Sequence, residues 1–326
     1  MTKDWFEVIK KYLSLETKVR IDGEEEQVGE FFTDSSQANE IINKLRRSKE
    51  QDKERNAIFI KGEIKLDRCE IKKEGTDEII VKIPLYQRWV YKLKDMFYEQ
   101  EKLGIREICL KEQYGSWRLL KDEMDAGLRI QDAPETMAKE GIPPFFHETN
   151  ENDANQITNR GIYNRLKAQR YAEIWWNQYN PQYEKFEADC TNFVSQCLLA
   201  GGVPMTYTGN QGKGWWYRNN GNLHHWSYSW VVAHSLRWYL STSRNGLRAV
   251  EVSSPHKLSI GDVISYDYDG DGHWQHNTIV VLKDSNDMPL VNAHTNNSRH
   301  RYWDYRDSAA WTPHIKYKFF HIVDEF

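Results

Sequence analysis

The chain has 326 residues, of which 39% are hydrophobic and 28% are charged, and its formal net charge is −4. This composition is typical of a globular protein that can bury a core, and it argues against wholesale disorder. The slight acidic excess argues against a general nucleic-acid binder, which needs basic side chains to meet phosphates.

The sequence contains no segment that predicts a membrane span or an export signal. Residues 1–19 are amphipathic and charged, and they lack the apolar stretch of roughly 7–15 residues found in a secretory leader. No run of about 18 apolar residues occurs. We therefore expect a cytoplasmic protein as given, or an extracellular or cell-wall protein if a leader has been removed. The four cysteines show no CxxC spacing, which argues against a disulfide scaffold and a structural zinc site.

The first part of the chain predicts helices followed by antiparallel strands. Apolar residues at 3–4 spacing predict a helix over 3–16, and a second helix is expected over 36–48, capped by Ser35 or Ser36. The charged run 46–55 is predicted to be a solvated helix end. Alternation of period 2 predicts strands in AIFIKGEIKL, EIIVKIPL, RWVYKL and GSWRLLKDE. This order predicts an α+β domain whose pattern resembles the NTF2-like or cystatin-like class.

The segment 124–158 is rich in proline, glycine, asparagine and acidic residues. It is predicted to be a linker or strap between an N-terminal domain (1–123), whose role the sequence does not give, and a C-terminal domain (159–326). Few contacts are expected to cross between the domains, so a fragment from about residue 155 is expected to fold alone.

The C-terminal part predicts helices over 163–179, 190–200 and 229–241. The strands that follow lie in GDVISYDYDGDGHWQHNTIVVL, which contains two strands around a Gly-Asp turn, and in MPLVNAHTNN and HIKYKFFHI.

Cys190 lies in the first turn of the predicted helix 190–200, with Asp189 as its expected N-cap. The positive end of the helix dipole favours a thiolate there, and the Cys190 N–H is available to an oxyanion. The alternative is a buried structural cysteine, because free cysteine is among the most buried residue types. Cys197 lies about 10 Å along the axis, too far for a disulfide, and is predicted to be a core residue.

The neighbourhood of Cys190 carries a family resemblance. The elements YNR, NP, DCTNFVSQ and GG occur in this order between residues 163 and 202, and GDVISYDYDGDGHWQH and AHTNN follow. This arrangement resembles the putative amidase domain family of Gram-positive bacteria, a papain-like family related to the NlpC/P60 and CHAP cell-wall hydrolases. The resemblance covers roughly residues 160–323.

The resemblance implies a papain-like cysteine hydrolase domain that uses no metal and no organic cofactor. It implies that Cys190 is the nucleophile and that His276, at the start of a strand, is the general base and acid. His273, inside the Gly-rich turn, is the competing candidate for the base. A third group is expected on the next strand to orient His276, and His294 fits best, with Asn292 and Asn296 as alternatives.

Peptidoglycan is the substrate class that the resemblance implies, with a stem-peptide or sugar–peptide amide as the bond that is cleaved. Substrate contacts are predicted for Asp189, Trp215, Trp230 and Asn292. For the tryptophans the alternative is packing within a long aromatic loop, and Trp230 is also expected to anchor the helix that it begins.

Two other functions remain open at this stage, and neither the cleaved bond nor the oligomeric state follows from the sequence. The same site could transfer an acyl group to an amine, or the domain could be a non-catalytic scaffold that binds a cell-wall or protein ligand. The acidic turn 267–272 matches the first half of an EF-hand loop, but Thr278 stands where that loop needs a glutamate. An acidic turn is therefore favoured over a weak calcium site.

Overall fold

The structure, a computed structural model, describes residues 4–125, 161–221 and 223–326. From residue 126 onward the predicted linker lies outside the described residues. The helices are α1 (Asp4–Lys18), α2 (Ser35–Arg55), α3 (Arg165–Trp175), α4 (Cys190–Ala200), α5 (Tyr228–Val231) and α6 (Ala233–Thr242). No helix in these ranges is long and apolar enough to cross a membrane.

Thirteen strands are formed by the described residues. They are β1 (Ile58–Leu66), β2 (Glu70–Glu74), β3 (Glu78–Leu93), β4 (Met96–Gln113), β5 (Ser116–Asp125), β6 (Tyr217–Asn220), β7 (Leu223–Trp226), β8 (Ala249–Val252), β9 (Val263–Asp267), β10 (His276–Lys283), β11 (Pro289–Ala293), β12 (Ser298–Tyr302) and β13 (Lys316–Ile322).

Eleven of these strands form one antiparallel sheet. Its order is β1-β3-β4-β12-β11-β10-β9-β13-β8, with β2 beside β3 and β5 beside β4. The strands β6 and β7 form a separate hairpin. Helices together with a large antiparallel sheet confirm the predicted α+β class.

The large sheet runs through both halves of the chain, because β4 pairs with β12. Ser298 lies opposite Lys102, and the Leu103 N–H donates to the carbonyl oxygen of Asn297 (2.8 Å). This seam contradicts the expectation of few contacts between the halves. The division into domains at 1–123 and 159–326 stays a prediction.

Helix α2 is longer than the sequence predicts. The prediction gave 36–48, whereas the helix continues to Arg55. Its N-cap is Asp34 rather than Ser35 or Ser36, since the Asp34 carboxylate accepts from the Ser36 N–H (2.8 Å). These additional turns contain most of the charged run 46–55 and place its end against the C-terminal half of the chain.

The end of α2 is buried against the C-terminal half, which corrects the prediction that 46–55 is a solvated end. Arg55 is only 6% exposed. Its guanidinium donates to Asp284 (3.4 Å) and lies 3.8 Å from the ring centre of Tyr302. A charged run can thus be an interface when its cations find buried partners.

In the C-terminal half, helices cover one face of the sheet and aromatic side chains cover the other. Phe193 and Val194 of α4 pack with Ile279 on the helix-covered face. Val280 points to the opposite face and packs with Tyr266. This alternation along β10 decides where the first residues of that strand place their side chains.

Candidate active site

Cys190 begins α4 and is buried, with 4% of its surface exposed. Its Sγ lies 3.7 Å from Oγ1 of Thr191, and that Oγ1 accepts from Nδ2 of Asn277 (3.0 Å). Burial raises the pKa of the Cys190 thiol, and the Asn277 N–H opposes that rise. The predicted preference for thiolate at the helix start is therefore outweighed by desolvation in this conformation.

The backbone amides at the start of α4 are covered by a single hydroxyl. Oγ1 of Thr295 accepts from the N–H of Asp189 (2.9 Å) and from the N–H of Cys190 (3.2 Å). Thr295 and Asn296 adopt left-handed backbone conformations, with φ of 58° and 64°. A β-branched residue rarely adopts such a conformation. The Cys190 amide, expected to be open to an oxyanion, is thus already occupied.

Asp189 does not cap α4 with its side chain. Its Oδ1 accepts from the Phe186 N–H (3.1 Å) and from Nδ2 of Asn192 (2.9 Å), and its Oδ2 lies 2.6 Å from Nδ1 of His294. It is fully buried. Asp189 is therefore a structural anchor in this conformation rather than a group that a substrate can reach.

His294 is fixed at both ring nitrogens. Besides its contact with Asp189, its Nε2 lies 2.8 Å from the carbonyl oxygen of Trp175, and the Phe193 ring stacks on it at 4.1 Å. Because both partners are acceptors, an imidazolium would donate to each of them. Neither nitrogen is left to orient His276, so the predicted orienting role of His294 is not compatible with this arrangement.

His276 opens β10, as the sequence predicts, and lies on the face opposite α4. Its Nε2 is 3.2 Å from the hydroxyl of Tyr305, and the rings of Tyr266 and Tyr268 lie beside it. Burial, together with the nearby Arg301 guanidinium, lowers the pKa of His276 to about 3. The imidazole is therefore neutral at physiological pH.

Cys190 and His276 lie at the same end of β10 without a direct hydrogen bond. Among the described residues no hydrogen bond joins the Cys190 sulfur to the His276 ring. The Thr191 hydroxyl beside the sulfur accepts from Nδ2 of Asn277, the residue that follows His276 along the strand. The competitor His273 is exposed and stacks on His234 at 4.9 Å.

Tyr305 is the partner of His276 that sequence reasoning missed. The Arg301 guanidinium lies 3.7 Å from the centre of the Tyr305 ring. Arg301 itself is paired with Asp307 (2.7 Å). No local pattern marks Tyr305, because its importance depends on a contact with a strand that begins 29 residues earlier.

Three of the predicted substrate contacts are buried in the core. Trp215, Trp230 and Asn292 are each 0% exposed. The indole N–H groups of the tryptophans donate to Ser195 and Asn192 of α4, at 3.0 and 2.9 Å. Both rings support α4, so the packing alternative describes them.

The Asn292 side chain fastens α3 to the sheet. Its Nδ2 donates to the Ala172 carbonyl oxygen (3.2 Å) and to Glu173 (3.1 Å), and its Oδ1 accepts from the His300 N–H (2.9 Å). Asn292 is therefore fully engaged and does not reach His276. Asn296, the other alternative, lies in the turn after β11.

The acidic turn is organised by Asp267. Its two carboxylate oxygens accept from the N–H groups of Gly270 and Gly272, each at 2.8 Å. This side chain is fully buried. Its oxygens thus stabilise the turn between β9 and β10, which places His276 at the start of its strand.

Comparison with known proteins finds similar sequences for this region. Residues 162–320 match the model of the family described as "Putative amidase domain". An uncharacterized Bacillus subtilis protein, YhbB, is 58% identical over 163 residues, which are 50% of this chain and 51% of YhbB. A second uncharacterized protein of that organism, YjcM, is 30% identical over 167 residues, covering 47% of this chain and 37% of YjcM.

The matched region contains every element of the candidate site. Residues 162–320, which match the amidase family model and are called the amidase region, include α4, β10, β11 and Tyr305. Helices α1 and α2 and strands β1 to β5 lie outside this region. The chain spans about half of the length of YhbB and over a third of that of YjcM. The family description supports amide hydrolysis as the general reaction.

Proposed function

We propose that the protein is a cysteine-dependent amide hydrolase of papain-like arrangement, with Cys190 as the nucleophile and His276 as general base and acid. The observation that carries this proposal is the hydrogen bond from Nδ2 of Asn277 to the hydroxyl of Thr191 (3.0 Å). It brings the start of α4 to the start of β10, one residue from His276, within the amidase region.

The reaction starts from a neutral thiol and a neutral imidazole, and the His276 ring must first come into contact with the sulfur, because no hydrogen bond joins them in this conformation. His276 takes the thiol proton as the sulfur of Cys190 bonds to the amide carbon, and the carbonyl oxygen becomes an oxyanion. The oxyanion replaces the Thr295 hydroxyl on the Cys190 N–H. The C–N bond then breaks as the imidazolium gives its proton to the amine, and water hydrolyses the thioester with His276 as base.

Tyr305 takes the orienting role in this proposal. Its hydroxyl is within hydrogen-bond reach of Nε2 of His276, which leaves Nδ1 of the ring for proton transfer. His294 instead holds Asp189 and so fixes the start of α4, which positions the nucleophile.

The proposed substrate is peptidoglycan, cleaved at a stem-peptide or sugar–peptide amide. This part of the proposal rests on the resemblance of the run DCTNFVSQ to the putative amidase domain family and on the relationship of that family to cell-wall hydrolases. A fold supports many chemistries, so the substrate needs its own test.

Mass spectrometry of a peptidoglycan digest tests the proposal. The wild-type protein should release fragments with a new carboxyl and amine, and the Cys190→Ala variant should release none. Cys197→Ala, which removes a sulfur from the same helix, is the matched control and should retain activity. His276→Ala should abolish release, whereas His294→Gln should reduce it through loss of stability. Equal release by wild type and Cys190→Ala would contradict the cysteine mechanism.

A non-catalytic binding protein is the second candidate, favoured by the closed state of the site. Cys190 is only 4% exposed and its amide is occupied by Thr295. In that case wild type and Cys190→Ala should sediment equally with insoluble peptidoglycan, and the digest should contain no new ends.

A further inference from the structure

A cavity of about 930 Å³ lies between the N-terminal half and the amidase region. Its walls come from α2, β3 and β4 on one side and from residues 296–311 on the other. A volume of this size is within the range of sites that bind small molecules and short peptides. Nothing in the amidase match accounts for the N-terminal wall.

The cavity adjoins the candidate site at two points. Asn296, which lines it, follows the threonine whose hydroxyl covers the Cys190 amide. Arg301, which also lines it, packs on the ring of Tyr305, the partner of His276. Cys190 and His276 are not among the lining residues, so a ligand in the cavity would be connected to them through these two neighbours.

Arg47 of α2 presents a cation to this cavity without a carboxylate partner. Among the described residues its only hydrogen bond is from Nε to the Arg306 carbonyl oxygen (3.4 Å), and it forms no salt bridge within 4.0 Å. Its guanidinium lies 5.1 Å from the centre of the Trp311 ring, which fixes its direction. The other N–H groups of the Arg47 guanidinium can donate two parallel hydrogen bonds to the two oxygens of a carboxylate.

Asn297 adds a buried amide with unused hydrogen-bonding capacity. The residue is 0% exposed and lines the cavity, and neither its Nδ2 nor its Oδ1 has a hydrogen-bond partner within the described part of the chain. The Tyr179 hydroxyl is a polar neighbour, but no hydrogen bond of acceptable geometry joins the two. A side-chain amide pairs naturally with a peptide group, since it offers one donor face and one acceptor face.

The rest of this wall carries both acidic and basic side chains, and most of them are paired with each other. Arg301 pairs with Asp307 and stays charged, whereas burial lowers the pKa of Lys102, the second partner of Asp307, to about 7. Arg47 is therefore the cation of this wall that a ligand carboxylate can pair with.

We propose that this cavity binds a short peptide with a free carboxylate, in which Arg47 pairs with the carboxylate and Asn297 with a peptide group. The N-terminal half thereby forms one wall of the substrate site. The inference rests on the proposed function only in placing the scissile amide beside Cys190.

Calorimetric titration of the full chain carrying Cys190→Ala tests the inference without turnover. The probe is an N-acetylated tetra-alanine with a free carboxylate, compared with the same peptide ending in an amide. The carboxylate form should bind saturably and at least about tenfold more tightly than the amide, as expected for a charge-assisted pair. Arg47→Ala should remove this difference, and Arg47→Lys should keep part of it.

Arg46→Ala is the matched control, because Arg46 neighbours Arg47 on α2 but does not line the cavity. It should change the dissociation constant by less than about twofold. Equal binding of both peptides, unchanged binding by Arg47→Ala, or no saturable binding below ~10 mM would overturn the inference.

Binding and catalysis separate cleanly in this design. Peptide binding that depends on Arg47, without peptidoglycan cleavage by wild type, would overturn the proposed function alone. Cleavage that depends on Cys190, without peptide binding, would overturn only this inference.

Discussion

Burial governs the protonation of the two candidate catalytic residues. It raises the pKa of the Cys190 thiol, and together with Arg301 it lowers the pKa of His276 to about 3. A helix start alone favours a thiolate, but here the sulfur is removed from water, and desolvation opposes the charged form. The resting pair is therefore a neutral thiol beside a neutral imidazole rather than an ion pair.

The rate at which Cys190 is alkylated should depend on pH as expected for a neutral thiol. Iodoacetamide should react slowly at pH 6 and faster as the pH rises above about 8.5, the ordinary pKa of a thiol. Peptide mass spectrometry separates Cys190 from the half-buried Cys69 and Cys109. The protein unfolded in guanidinium gives the reference rate for an exposed thiol. Rapid labelling of Cys190 at pH 6 in the folded protein would show that a thiolate is present after all.

His276 should make the fold sensitive to acid. Its pKa of about 3 is below the ordinary value near 6.5, so the unfolded chain binds a proton between these pH values while the folded protein does not. Stability from this residue is complete above about pH 6.5 and is lost as pH falls towards 3, by on the order of 4 kcal/mol. Denaturant unfolding at pH 7 and 4.5 should show a smaller loss for His276→Gln. The exposed His314→Gln should behave as wild type.

Tyr305→Phe should test whether the hydroxyl orients His276. Loss of one positioning hydrogen bond is expected to lower kcat by roughly 10- to 100-fold with little change in KM, and to shift the acidic limb of the pH–rate profile. Tyr317→Phe removes a hydroxyl bond to the Asp304 carbonyl oxygen in the same aromatic cluster and is the control. Equal kcat values for the two variants would assign Tyr305 to packing.

At the scale of elements, the start of α4 is held by the strand end of β11. Asp189 pairs with His294, and both are almost completely buried. The hydroxyl of Thr295 covers two amides of the same turn. Cys190 is therefore positioned by the turn between β11 and β12.

Breaking the pair of Asp189 and His294 should cost stability in a coupled way. Asp189→Asn or His294→Gln alone should reduce the free energy of unfolding by about 3 kcal/mol, because each leaves a buried polar partner. The double variant should lose less than the sum of the two, since the contact is already gone. Urea unfolding of all four proteins measures the coupling. Additive losses would mean that the two side chains do not interact in solution.

Local patterns predicted the elements that carry the candidate site. Helix α4 and strand β10 were predicted with Cys190 and His276 as their first residues, because periodicity and caps are local signals. The partners Tyr305 and Thr295 were not predicted. Their contacts join separate strands and turns, and no spacing along the chain encodes them.

The predicted roles of Trp215, Trp230 and Asp189 differ from the structure because these side chains are buried. Trp215 and Trp230 lie in an aromatic loop that resembles a substrate platform, yet both rings are fully buried against α4. Aspartate is a favoured N-cap residue, but the carboxylate oxygens of Asp189 bind His294 and Asn192 instead of the backbone amides of the first turn of α4. Tertiary partners override a local preference when they are buried.

At the scale of the whole molecule, one sheet connects the two halves. Strand β12 of the C-terminal half pairs with β4 of the N-terminal half, and Asp307 forms an ion pair with Lys102 of β4. Without these partners β12 would become an edge strand.

A fragment of residues 161–326 should therefore fold but melt several degrees below the full chain, and it should self-associate through β12. Differential scanning calorimetry and sedimentation of both proteins provide the test. A monomeric fragment with the melting temperature of the full chain would show that the halves are independent.

The seam between β4 and β12 also has a consequence for the order of folding. Lys102 and Ser298 are about 200 residues apart along the chain, and contacts of such separation are slow to form. At a synthesis rate of about 5–20 residues per second, β4 waits roughly 10–40 seconds for its neighbour to leave the ribosome. During that interval its edge is open to pairing with another nascent chain. We therefore expect yield in a cell to fall with rate of expression, even for a protein that is stable once complete.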